Sequence, residues 1–124
     1  MNGATTSELA SEVVAAYDER YPENSYMEGA RIFPSLVPIS PDDVSAPANR
    51  ATWVTLRSFE RPFLCAFSDM DPITRGGEAN FIGVVPGAED QPHATIEGAG
   101  HFLQEERGPQ LARVLVDWLA VPAK

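Results

Sequence analysis

One cysteine, two histidines and nine basic residues are few for a chain of 124, and each shortage excludes something. With Cys65 alone, no disulfide can close within the chain and no thiolate metal cluster can form. It lies inside Pro62-Phe63-Leu64-Cys65-Ala66-Phe67, where it reads as a small buried hydrophobe rather than a reactive thiol. Nine Lys and Arg against eighteen Asp and Glu leave a formal charge of −9, which repels nucleic acid and anionic membrane surfaces; neither is an expected partner. Met1 to Ser7 has no basic or apolar segment of a secretory leader, and no apolar run approaches the roughly 20 residues of a membrane span. A cytoplasmic location is the expectation. There is no glycine-rich phosphate loop and no His-x-x-x-His pair, so no cofactor and no metal is implied. No repeat or low-complexity tract occurs.

What is present is ordinary for a small folded domain: 44% hydrophobic and 22% charged residues. That supplies a core, but not a sheet with large helical layers on both faces. Thr5-x-x-Glu8 has the capping-box spacing, and Leu9, Val13, Val14 and Tyr17 recur at helical intervals, so a helix is expected over 6–18. A second is expected from about Asn24 or Ser25, carrying Tyr26, Ala30, Ile32 and Phe33 until Pro34 kinks or ends it. Pro38, Pro41 and Pro47 frame a loop, and Pro47 suits the first turn of a third helix bearing Trp53 and Leu56.

Beyond Pro62 the pattern changes. Phe63 to Phe67 is a short continuous apolar run, as expected of a strand buried on both faces of a parallel sheet. A helix is expected to follow Asp71-Pro72 as far as Phe81, then a weaker strand over His93 to Glu97, then an amphipathic helix from Gln104 to Leu119 with Leu111, Val114, Leu115 and Leu119 inward. Strand, helix, strand, helix implies an α/β crossover unit with parallel strands. Two such strands make an incomplete parallel sheet with an unpaired apolar edge. Self-association or a partner protein at that edge is therefore expected.

Asp71 falls just past the first strand and His101 just past the second, at the end of a parallel sheet where strand-to-helix loops converge. A carboxylate and an imidazole so placed can meet, the carboxylate holding the tautomer and the other ring nitrogen acting as a base. Gly98 and Gly100 let the backbone turn tightly before His101. On spacing alone the plainer readings stay open: a histidine in a polar turn, an aspartate opening a helix before proline. Asp69 is the competing acid, His93 reads as a surface residue, and Trp53 and Trp118 read as core.

The run Phe67-Ser68-Asp69-Met70-Asp71-Pro72-Ile73-Thr74 resembles the α/β-hydrolase segment that carries the catalytic acid. Gly98-Ala99-Gly100-His101-Phe102-Leu103-Gln104-Glu105 resembles the segment that carries the catalytic histidine. Upstream, Ala16-Tyr17, Tyr21-Pro22, Ser25-Tyr26, Gly29-Ala30-Arg31 and Phe33-Pro34-x-x-Val37-Pro38 resemble the end of the cap domain in haloalkane dehalogenases, although Asp18 to Pro22 is more polar than the family tends to be. The resemblance runs from about Ala15 to the final helix. It implies the C-terminal part of an α/β-hydrolase fold, with residues 1–58 as the end of the helical cap and a returning helix, and residues 59–124 as the last part of the core. By position, it implies Asp71 as the acid, His101 as the base, and Phe33, Pro34 and Val37 as pocket lining for a small haloalkane. In the family an aspartate on a sharp turn attacks the carbon bearing the halogen, and the histidine activates the water that hydrolyses the resulting ester. The 124 residues contain no Gly-x-Ser-x-Gly elbow and no His-Asp-Trp-Gly-like nucleophile segment; Asp117-Trp118 lies on the last expected helix. The leading expectation is a dehalogenase-like fragment with acid and base but no nucleophile, inactive alone or half of a split enzyme. The alternatives are a non-catalytic remnant acting as an oligomerisation or protein-binding module, and another α/β-hydrolase such as an epoxide hydrolase or esterase.

Overall fold

In the computed structural model, residues 4–120 are described, so the reading of the N-terminus at Met1, Asn2 and Gly3 lies in part outside them. The chain divides into two compact units, Ala10–Leu56 and the remainder.

The first unit is helical. Helix α1 spans Ser11–Asp18, five residues later than expected at its start. Ala10 takes the N-cap position without a side-chain bond, and the Thr5 hydroxyl is buried with no partner among the described residues. The capping box fails because the neighbouring Thr6 and Ser7 bind elsewhere, as shown below. A 3-10 turn over Asn24–Met27 leads into α2, Glu28–Ile32, and a second 3-10 turn, Phe33–Leu36. Pro34 ends the α-helix as expected, since it has no N–H for the preceding turn. Helix α3, Ala46–Leu56, begins where Asp43 Oδ1 accepts both the Ser45 N–H (2.8 Å) and the Ser45 hydroxyl (2.6 Å). Those bonds, the hydroxyl first, hold the Asp43 carboxyl below the usual range.

The second unit contains the sheet. Strands β1, Ala66–Ser68, and β2, Ala94–Ile96, pair in parallel with Ala66 opposite Ala94 and Ser68 opposite Ile96. The parallel pairing agrees with the sequence reading; β1 is shorter and starts three residues later. Ahead of it, the Phe63 N–H donates to the Gly87 carbonyl (2.8 Å) instead of a strand partner. Phe63 also stacks on Phe81 with centroids 5.7 Å apart, and Phe59 meets Phe63 edge-on at 6.1 Å. Cys65, Val85, Ala88, Ile96 and Ala99 are buried around the strands. Burial first, and the Glu78 charge second, push the Cys65 thiol up, as befits a packed rather than reactive group.

Three expectations fail here. The helix expected after Asp71 is confined to α4, Ala79–Ile82, because the chain turns through 72–78 and Gly76 takes a φ of +81° that no α-helix contains. The last helix is broken into α5, Leu103–Glu106, and α6, Gly108–Leu119. Arg107 leaves helical geometry (φ −136°, ψ 31°), and Pro109 opens the first turn of α6. The inward face of α6 is Leu111, Val114 and Trp118, whereas Leu115 and Leu119 are exposed. Trp118 leaves the Leu119 side to solvent because its own ring N–H reaches Gln91 Oε1 (2.8 Å), turning that face toward the loop before β2.

Candidate active site

Both loops that leave the sheet at the C-terminal ends of β1 and β2 are bonded to one another. The Asp69 N–H donates to the Ile96 carbonyl (3.4 Å) and the Met70 N–H to the Ala99 carbonyl (3.2 Å). The buried Ser68 hydroxyl donates to the Gly100 carbonyl (2.9 Å). Asp69, the competing acid, instead receives the Gly98 N–H on Oδ1 (2.8 Å), bracing the turn where Gly98 takes a φ of +69°. Its carboxylate is thus occupied with the loop.

That bracing brings Asp71 and His101 together. His101 Nδ1 lies 3.0 Å from Asp71 Oδ2. Asp71 is 3% exposed, while the histidine side chain is 37% exposed. Asp71 Oδ1 accepts the Ile73 N–H (2.8 Å), and Oδ2 also accepts the Thr74 hydroxyl. Burial by itself would raise the carboxyl; the bonds from Thr74, His101 and Ile73 outweigh it and hold Asp71 at about 2. An ionised carboxylate only accepts, so the proton of a neutral imidazole sits on Nδ1 and the Nε2 lone pair is left free. An imidazole held this way can take a proton at Nε2, and the adjacent carboxylate stabilises the cation that forms. Phe102 meets the His101 ring edge-on at 5.4 Å and limits its rotation.

Phe33, Pro34 and Val37 lie in the helical unit, in and just after its second 3-10 turn, with Phe33 69% and Val37 57% exposed. His93 is a surprise: it is half-buried, with Nδ1 accepting the Cys65 N–H (3.1 Å) and Nε2–H donating to the Ala88 carbonyl (2.9 Å). It ties the strands to the loop between them, whereas the sequence suggested a surface residue. The largest omission is Glu106. Its Oε1 accepts the N–H and hydroxyl of both Thr6 and Ser7 at 2.6–2.8 Å, and Oε2 accepts the Gly100 N–H at 2.7 Å. Burial opposes ionisation there too, but those bonds, led by the Ser7 hydroxyl, hold Glu106 at about 2. Thr6 and Ser7 lie inside the Thr5-x-x-Glu8 spacing, and nothing local in the sequence ties them to Glu106.

Over 114 residues, covering 92% of the chain, the sequence is 46% identical to a haloalkane dehalogenase of Mycobacterium marinum. It is 43% identical over 119 residues to one from Psychrobacter cryohalolentis and 44% identical over 118 residues to haloalkane dehalogenase 1 of Mycobacterium bovis. This chain matches the C-terminal portion of the haloalkane dehalogenases. It spans 38–39% of the length of these curated relatives. Its fold is accordingly part of an α/β-hydrolase, the small parallel sheet being a piece of the larger one that haloalkane dehalogenases imply. No family model matches the chain.

Proposed function

We propose that this chain supplies the acid and base of a haloalkane dehalogenase site, with Asp71 orienting and charging His101, and His101 activating the hydrolytic water. The observation that carries this reading is the 3.0 Å bond from His101 Nδ1 to a buried carboxylate held at about 2, which leaves Nε2 as the only basic atom of the ring. Phe33, Pro34 and Val37 line the pocket for a small haloalkane in this proposal. Residues 1–58 form the cap end and 59–124 the closing part of the core. The attacking carboxylate has to come from beyond these 124 residues, which hold no nucleophile elbow.

Chemistry divides the cycle into two steps. The nucleophile displaces halide and becomes an alkyl ester, with no proton transfer needed. Water then attacks the ester carbonyl, gives its proton to Nε2 of His101, and releases the alcohol while the carboxylate is regenerated. Asp71 offsets the charge that appears on the ring. The direct test is a chimera in which the matched portion of the Mycobacterium marinum relative is replaced by this chain. Steady halide release is expected, with Asp71→Asn reducing turnover by about 10⁴-fold, as loss of the orienting carboxylate does elsewhere. A chimera that folds but releases no halide would refute the reading.

A second reading is favoured by the sheet, which has two strands of three residues each among the described residues. So short a parallel pair is marginal alone, and its edge can pair with a second copy or another protein. Sedimentation of the isolated chain as a monomer over a broad concentration range would remove this reading.

A further inference from the structure

We propose that Glu106 is a positioning residue for His101, its carboxylate fastening residues 4–7 across the histidine loop. The inference rests on the acid–base reading of Asp71 and His101 and extends it to the group that fixes the loop from behind. His101 is held at its ring by Asp71, but a ring is only as well placed as its backbone. That backbone is held from two directions. The His101 and Phe102 N–H groups donate to the Ala4 carbonyl at 2.7 and 3.4 Å, and the preceding Gly100 N–H donates to Glu106 Oε2 at 2.7 Å. Glu106 Oε1 then gathers Thr6 and Ser7 through two N–H groups and two hydroxyls. One carboxylate thus joins the loop to the segment whose own carbonyl holds the His101 amide. The three contacts form a closed clamp: Ala4 carbonyl to His101, Gly100 to Glu106, Glu106 to Thr6 and Ser7.

The chemistry of the donors explains why a carboxylate is required. All five groups donate, so both oxygens must accept. A glutamine of the same length can present an oxygen to one side only, and its NH₂ then faces either Gly100 N–H or the Thr6–Ser7 pair. The Glu106→Gln variant therefore opens the clamp without creating a cavity. Because charge-assisted bonds are about twice as strong as neutral ones, the loss is large relative to the change in shape.

Two readouts test the proposal on the full chain and on the chimera. In nitrogen-labelled full chain, Glu106→Gln is expected to speed exchange of the His101 Nδ1–H and the Gly100 amide by about tenfold or more. His93→Ala serves as the control, since it weakens the same unit without touching Glu106; it should leave the two protons' protection, relative to their neighbours, unchanged. In the chimera, Glu106→Gln should lower kcat by about tenfold with KM unchanged. Unchanged His101 ring exchange in Glu106→Gln, or a change no larger than in His93→Ala, would overturn the positioning role. If the unsubstituted chimera releases no halide, the acid–base reading fails, and the ring and amide exchange still decide whether Glu106 positions the loop.

Discussion

The two units of this chain are stabilised in different ways. Within Ala10–Leu56, side-chain hydrogen bonds such as Arg31 to Glu28 and Ser35 to Ile32 join residues a few positions apart, and Ala46 is the one buried hydrophobic. Ile32, Phe33, Leu36, Val37, Ile39, Val44 and Val54 are all exposed. In the other unit, bonds cross 27 to 100 residues of sequence, and three carboxylates, three hydroxyls and two imidazoles are held by such bonds around the strands. Local bonds make helices but do not bury them. Long-range ones create the places where a charged group can be held with low exposure. The proposed acid and base both belong to the second unit, while the first leaves most of its large apolar side chains exposed.

The contrast can be broken most severely at Gly87. A Cβ there would lie 1.8 Å from the Arg61 carbonyl oxygen, against backbone that cannot swing aside. Gly87→Ala should cost about 3 kcal/mol or more, the upper end for overpacking, and denaturant unfolding of the strand unit measures it. Next comes His93→Ala, which leaves the Cys65 N–H and Ala88 carbonyl without their partner; about 2 kcal/mol is expected in the same assay. At the small end, Val44→Ser in the helical unit removes a side chain that is 96% exposed and should change stability by less than about 0.5 kcal/mol. Equal losses from His93→Ala and Val44→Ser would erase the distinction between the units.

Acid sharpens the same comparison. Asp71 and Glu106 are both held at about 2, below ordinary values of 3.8 and 4.5. A carboxyl with a lowered folded-state value binds protons more readily when unfolded, so its contribution is complete above the ordinary value and lost as pH falls through the folded one. These two groups should therefore destabilise the strand unit between about pH 4.5 and 2, and contribute nothing to any change between pH 5 and 8. Amide signals followed through an acid titration check this: those of 57–120 should lose protection in that window.

Much of the strand unit was legible in the sequence. One apolar run after Pro62 and a weaker segment between Pro92 and Gly98 located the parallel strands, and Asp71 and His101 were foreseen as neighbours because both follow strand ends. Failures cluster where local and distant partners compete. Thr5-x-x-Glu8 fits a capping box, yet Thr6 and Ser7 go to Glu106 about 100 residues away, which no local pattern encodes. Gly76 and Arg107 interrupt stretches read as continuous helix, the first from its Asp71-Pro72 start and the second from its apolar spacing. His93 was misread because its partners are backbone groups, invisible as residue types. Leu115 and Leu119 have the right spacing for a core, but spacing does not say what covers them.

In the proposed cycle His101 acts only after halide has left. The measurement is intact-mass analysis of the His101→Ala chimera incubated with a haloalkane, with halide counted in parallel. One halide per protein and a stable alkyl adduct on the nucleophile are expected, because ester formation needs no base and ester hydrolysis does. Continued turnover without an adduct would contradict it, and another group would then have to activate the water.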